Sequence, residues 1–234
     1  MLTALLYNPA AGRGLAPRLR DRALRAARSH WPRIDLLETK GPGDGVPLAR
    51  EAAGAGVERL LVLGGDGTVH EAVNGILGSG APALPYVGVI PCGTGNDFAK
   101  LVGTAHCPPE EALRRLAAAT PVRLDSGVAW GETFINSAGI GLDADVAHEL
   151  RTVKRLRGTP AYALALLRTL RAFRPRRLEV TVAGERWSGR WTAVVVGNGP
   201  VEGGSFRLTP DARADDGELD LCAVTEVGMA RLLA

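Results

Sequence analysis

The sequence is short of cysteine, short of aromatic side chains and without a long apolar run, and each shortage removes a class of protein. Its three cysteines, Cys92, Cys107 and Cys222, lie far apart. Neither they nor the four histidines show the paired spacing of a zinc site or a disulfide framework, so structural thiols are expected. No apolar stretch approaches the roughly 20 residues of a membrane span, and the longest candidate, Ala161 to Leu167, is flanked by arginines. The start, Met1 to Tyr7, has no basic leader region and runs directly into Asn8-Pro9. It is expected to form a buried strand rather than a signal peptide, which places the protein in the cytoplasm. Acidic residues are missing altogether between Glu149 and Glu179, where Arg151, Lys154, Arg155, Arg157, Arg168, Arg171, Arg174, Arg176 and Arg177 occur. That run implies a basic face, either solvated or attracted to an anionic membrane leaflet. The scarcity of aromatics beside it argues against nucleic acid.

What is present is an ordinary globular balance: 46% hydrophobic and 23% charged residues in 234, with a net charge of +3. Short continuous apolar runs, Leu2 to Tyr7, Ile34 to Glu38, Leu60 to Leu63 and Tyr86 to Ile90, predict strands buried on both faces. Helical patterns fall between and after them, near Leu15 to His30, Pro47 to Ala55, Thr68 to Leu77 and Glu110 to Ala119. The order is that of a parallel α/β domain over residues 1–124. From Asp125 the texture becomes alternating, in Glu179 to Ala183, Arg186 to Val196 and Leu219 to Val224, with a helical insertion from Thr159 to Arg174. Residues 125–234 are therefore expected to form a second, β-rich domain.

Of the 30 glycines, many gather in short loops. Three such loops follow predicted strands of the first domain: Asn8-Pro9-Ala10-Ala11-Gly12-Arg13-Gly14, Gly64-Gly65-Asp66-Gly67-Thr68 and Pro91-Cys92-Gly93-Thr94-Gly95-Asn96-Asp97. Strands of a parallel sheet deliver such loops to one edge, where glycine lets the backbone approach a ligand and the following helix adds partial positive charge. The spacing points to phosphate. Asp66, expected on a solvent-facing loop, would repel phosphate unless a hard cation stood between them, which implies Mg²⁺. The alternative for the second loop is local: Thr68 and Glu71 fit a helix capping box. No loop is a Walker A sequence. Gly139-Ile140-Gly141-Leu142-Asp143-Ala144 matches the dinucleotide fingerprint in letters only, since it lies outside the parallel domain and no acidic residue follows some 20 positions on.

Asn8-Pro9…Gly12, Gly64-Gly65-Asp66-Gly67-Thr68 and Pro91-x-Gly93-Thr94-Gly95-Asn96-Asp97 together resemble the signature of the diacylglycerol kinase catalytic domain family. The resemblance continues through Phe134-Ile135-Asn136…Gly139-x-Gly141-x-Asp143-Ala144 and Gly197-Asn198…Gly203-Gly204…Pro210-x-Ala212…Asp215-Asp216-Gly217-Glu218-Leu219-Asp220, similar to the second domain of bacterial members. It implies an ATP-dependent lipid kinase of the diacylglycerol and sphingosine kinase type. Its first domain would be a nucleotide-binding α/β domain like that of phosphofructokinase and NAD kinase, its second a β-sandwich, with the lipid in the cleft between. Carried over by position, Asn8, Pro9, Ala10, Ala11, Gly12, Thr39, Gly65, Asp66, Gly67, Thr68, Val69, His70, Glu71 and Thr94 would contact ATP. Asp66, Asp97 and Asp125 would act in catalysis, and a structural Mg²⁺ would take the Asp216 side chain with the Arg213 and Glu218 carbonyls.

The implied partner is a lipid at a membrane surface, with no nucleic acid; oligomeric state, a homodimer included, stays open. Family chains continue for several dozen residues and carry near their end an Asp-Gly-Glu whose glutamate serves as general base. This chain stops at Ala234 after Val227 to Leu233, which has the pattern of a helix cut short. The alternatives are an NAD kinase-like phosphotransferase, or a catalytically incomplete fragment that binds nucleotide or lipid.

Overall fold

The computed structural model describes residues 2–150, 152–153, 156, 158–203 and 206–226. Arg151, Lys154, Arg155 and Arg157 of the basic run, Gly204, and the expected terminal helix at Val227 to Leu233 lie outside the described residues. The chain divides into two packed units, residues 1–135 and 136–234.

The first unit carries a parallel sheet of β1 (Thr3–Tyr7), β2 (Ile34–Glu38), β3 (Arg59–Gly64) and β4 (Tyr86–Pro91), in the order β2-β1-β3-β4. Alternate residues of the two central strands feed opposite cores. Ala4, Leu6, Leu60 and Val62 pack with α2 (Gly45–Gly54) and α3 (Asp66–Leu77). Leu5, Tyr7, Leu61 and Leu63 pack with α1 (Ala16–His30) and α5 (Pro109–Ala118). A period of two with both faces covered is why these strands are written as unbroken apolar runs. Leu5, Leu6, Leu60 and Leu61 are wholly buried, each contributing about 1.5–3 kcal/mol. The edge strand β2 is less covered, leaving Leu36 exposed. Across the second layer, Arg22 on α1 forks onto Glu110 of α5 through two 2.9 Å hydrogen bonds.

A short helix that the sequence pattern did not announce, α4 (Asp97–Leu101), follows β4. The hairpin β5 (Gly127–Ala129) and β6 (Glu132–Phe134) also belongs to the first unit, so the packing boundary falls at Ile135 rather than at residue 125. Its attachment is physical. The Asn74 side chain on α3 donates to the Thr133 carbonyl at 2.9 Å and accepts from the Thr133 amide at 2.8 Å, as a neighbouring strand would. Beside it, His70 Nε2 meets Glu132 Oε2 at 3.0 Å.

The second unit is an antiparallel sheet of β7 (Ser137–Gly141), β8 (Arg176–Val182), β9 (Glu185–Gly197) and β10 (Asp220–Thr225), with α6 (Leu142–Leu150) and α7 (Gly158–Ala172). The long β9 serves two partners in turn: its first half pairs with β8, its second half with β7 and β10. Val146, Val153, Ala161 and Ala165 form the core around the two helices. The expected basic face is partly neutralised, because Arg168 pairs with Glu149 at 3.2 Å and Arg176 with Asp145 at 2.7 Å. The Gly139-to-Asp143 segment does run from strand to helix, but in an antiparallel sheet, where Gly141 turns at φ 107° and Asp143 is raised by burial while hydrogen-bonded to Glu202.

Candidate functional site

β1, β3 and β4 are neighbours, so their carboxyl ends deliver the three glycine-rich loops to one edge. The chain leaves β1 for α1 on one face of the sheet and leaves β3 for α3 on the other. Adjacent strands whose connections part in this way open a crevice, the ordinary ligand position of an open α/β sheet.

The loops touch backbone to backbone. The Asn8 amide donates to the Leu63 carbonyl at 3.3 Å and the Cys92 amide to the Gly64 carbonyl at 3.0 Å. Gly12, at φ 61°, lies against the Cys92 carbonyl, so closely that a β-carbon would collide with it. A β-carbon on Gly65 would come within 2.8 Å of the Gly93 α-carbon, and one on Gly93 within 2.6 Å of the Gly65 α-carbon. These glycines are needed for the approach of one loop to the next, as well as for any ligand.

Polar side chains knit the same edge. Asn8 Nδ2 donates to Thr68 Oγ1 at 2.9 Å while its Oδ1 accepts from the Ala10 amide at 2.9 Å. Thr39 is buried at the end of β2, its amide on the Tyr7 carbonyl at 3.0 Å. Asn96, a residue absent from the expected set, turns at φ 52° and folds its side chain back on Gly93, accepting at 2.8 Å and donating at 3.0 Å. Its left-handed conformation is one asparagine tolerates, and this is the signal that could have singled it out. Pro9, Ala11 and Gly12 are half-buried, and Ala10, Gly67 and Thr94 are exposed.

Several expected contacts take other duties. Glu71 does not close a capping box, because Thr68 lies inside α3 and the helix begins from Gly65 without a side-chain cap. Both Glu71 oxygens instead accept from the amides of Gly43 at 3.0 Å and Gly45 at 2.9 Å, at the start of α2. Val69 points into the core at 1% exposure, so only its backbone can face a ligand. His70 faces Glu132 of the hairpin. What remains open toward the crevice is the start of α3, where the amides of Asp66 and Gly67 have no partner within the helix.

Asp66 is half-buried rather than solvent-facing. Its Oδ1 accepts from the Phe98 amide at 3.2 Å, and the Asn96 and Asp97 amides also donate to it, so it closes the start of α4. Burial first, and the charge of Asp97 second, push its carboxyl above the ordinary value. Asp97 is itself buried, with Lys100 Nζ on its Oδ1 at 2.6 Å. The spacing of Asp97 and Lys100 on one helical turn was the available clue to that pair. Two carboxylates held near each other against their mutual repulsion form a donor set that fits a hard divalent cation sharing its remaining positions with phosphate oxygens. Among the described residues no group of three or more His, Cys, Asp or Glu side chains could hold a metal without such help.

Asp125 is not placed in that pair. It lines a cavity of about 930 Å³, otherwise largely apolar and walled by Val73, Ile76, Phe98, Leu101, Leu124 and Ile135. Phe98 joins the two, its amide on Asp66 and its side chain in the cavity wall. Asp216 and Glu218 meet in a tight turn around Gly217 at φ 82°, Asp216 Oδ1 accepting from the Glu218 amide at 3.1 Å, while the Arg213 side chain reaches Asp215 at 3.6 Å.

Comparison with known proteins accords with this geometry. Residues 3–129 match the diacylglycerol kinase catalytic domain, and residues 136–234 match the YegS C-terminal NAD kinase beta sandwich-like domain. The chain is 31% identical to a diacylglycerol kinase of Bacillus subtilis over 98% of its own length and 75% of the relative's. It is 37% identical to a Chromohalobacter salexigens protein named Probable lipid kinase YegS-like, over 78% of its own length and 58% of that relative's. The crystal structure of a diacylglycerol kinase from Bacillus anthracis superposes with a TM-score of 0.78 at 30% identity, covering 99% of this chain and 76% of that one.

Proposed function

The chain belongs to the diacylglycerol kinase catalytic domain family, and from that premise we propose that it transfers the γ-phosphoryl group of ATP to a hydroxyl of diacylglycerol or a related lipid. The observation that carries this reading is the contact of Gly65 with Gly93 above the Asp66–Asp97 pair. This approach supports the reading because it gathers backbone amides and two carboxylates, the groups that bind phosphate and Mg²⁺ in phosphoryl transfer.

In this reading the residues divide the work. The amides at the start of α3 and the loop at Ala10 to Gly12 face the phosphates, with Asn8 and Thr68 fixing the loop. Asp66 and Asp97 would hold the cation, which when bound neutralises charge developing on the transferring group. Thr39 and Thr94 stand at the same edge, and Asp125 faces the lipid hydroxyl from the wall of the apolar cavity, which suits an amphiphilic acceptor. A second, structural ion at Asp216 and the Arg213 and Glu218 carbonyls belongs to the same proposal. So do cytoplasmic residence and peripheral contact with a lipid surface. Among the described residues no helix is long and apolar enough to cross a membrane.

Incubation of the protein with γ-labelled ATP, Mg²⁺ and mixed micelles of diacylglycerol should yield labelled phosphatidic acid. Nucleotide binding without label in any of a panel of lipid hydroxyls sinks the kinase reading and leaves a nucleotide-binding protein. Label appearing on NAD instead of lipid would favour the phosphotransferase alternative, to which the description of the second domain is the pointer.

A further inference from the structure

The hairpin of β5 and β6 reverses through Trp130 and Gly131, at φ 51° and 83°. Two consecutive positive φ values are the mark of a type I′ turn, whose first position favours asparagine, aspartate or glycine because bulkier residues are strained there. Here a tryptophan occupies it. Its side chain is 76% exposed, and no ring contact engages it among the described residues. Val128, two residues earlier in β5, is 73% exposed. The tip therefore combines a strained backbone with an exposed indole, and nothing inside the unit compensates either.

The base of the hairpin is fixed. Asn74 grips both polar groups of Thr133, Glu132 is drawn back to His70, and Gly127 lies under the Phe134 ring so closely that a β-carbon would collide with it. The tip is held out on a rigid support, which spares it the ordering cost of a mobile loop on engaging a partner.

We propose that the Val128–Trp130 tip is an anchor for the lipid–water interface of a bilayer; this rests on the lipid-kinase reading for the reason such an anchor exists. Size favours a bilayer over a second protein copy. One tryptophan presents about 150–250 Å², and with a valine the tip stays well short of the roughly 800 Å² per partner that a stable protein interface buries. A bilayer asks for less. The indole ring enters the acyl boundary while its N–H finds a headgroup, which is why tryptophan gathers at membrane interfaces.

The test uses Trp130→Asn, since asparagine suits the turn and the fold is kept. Co-sedimentation with phosphatidylcholine vesicles, without nucleotide, should show partitioning reduced by about tenfold or more. Brominated phosphatidylcholine should quench part of the parent's emission and less of the variant's, while the melting temperature stays equal or rises. Trp187→Phe, which alters an exposed tryptophan of the second unit, should bind vesicles as the parent does. Equal vesicle binding by Trp130→Asn and parent overturns the proposal. So does loss of a dimer in sedimentation without loss of vesicle binding. Because no turnover enters the assay, Trp130-dependent binding alongside failed phosphoryl transfer would leave the anchor standing and remove only the kinase reading.

Discussion

Replacing Asp66 with asparagine separates the chemistry of the site from its packing. The Oδ2 atoms of Asp66 and Asp97 stand 2.9 and 3.2 Å from the point that a β-carbon on Gly95 would occupy. They are therefore no more than about 6 Å apart, a distance at which two like charges repel by about 3 kcal/mol at an effective dielectric of about 20. Lys100, 2.6 Å from the other oxygen of Asp97, offsets part of that. An amide relieves the remainder but accepts less strongly from the Phe98, Asn96 and Asp97 amides, a loss of about 1–2 kcal/mol. The two effects nearly cancel, and the melting temperature should move by less than about 4 °C. Transfer should not be spared. A metal-holding carboxylate supports several kcal/mol of charge stabilisation, and a loss of about 4 kcal/mol lowers the rate by about a thousandfold. The assay is Mg²⁺-dependent transfer from labelled ATP to micellar diacylglycerol beside a thermal melt of the same preparation. Turnover within about tenfold of the parent refutes the metal role. A fall in melting temperature well beyond the expected few degrees shows that Asp66 is chiefly a structural closure of α4.

The same carboxyl predicts a dependence on pH. Burial and Asp97 raise it above 3.8, so the native chain holds this proton more tightly than the unfolded chain. Without ligand its contribution to stability should thus fall as pH climbs from about 3.8 through the raised native value, while stabilisation by Mg²⁺ and ATP together grows over the same range. Melts with and without Mg²⁺ and ATP together check this, and parallel curves contradict it. Gly65→Ala places a β-carbon 2.8 Å from Gly93; the loops must part, at about 1–3 kcal/mol of stability and about tenfold in ATP affinity by titration calorimetry. Asn74→Ala releases β6 from α3 and should lower stability by about 1–3 kcal/mol in urea unfolding, and an unchanged midpoint would show that the hairpin is held by other means.

The first unit was largely legible because physics wrote it twice. β1 and β3 are apolar after their first residues, Thr3 and Arg59, since alternate residues face two cores, and loops after such strands have only one edge to reach. Legibility failed where a residue's partner is distant in sequence. Glu71 sits three residues after Thr68, which matches a local cap, yet its carboxylate serves amides at Gly43 and Gly45. Asp66 looked solvated because nothing nearby announces α4, whose five residues are too few to carry an amphipathic period. The hairpin's alternation resembled the β-rich region that follows, and contacts from Asn74 and His70, some sixty residues earlier, assign it to the first unit. Helix α6 was hidden by Gly139 and Gly141, which drew attention as a fingerprint and not as the end of a strand.

Lys100 gives the site a property that neither carboxylate has alone. With its ammonium on one oxygen of Asp97, the protein carries an internal counterion, and in the proposed role a bare divalent ion would meet a carboxylate already half satisfied. An ion already escorted by phosphate oxygens would bring more of its own coordination and compete better. Loading of metal and nucleotide would thereby be a joint event, and magnesium without ATP should leave this chain almost as it found it.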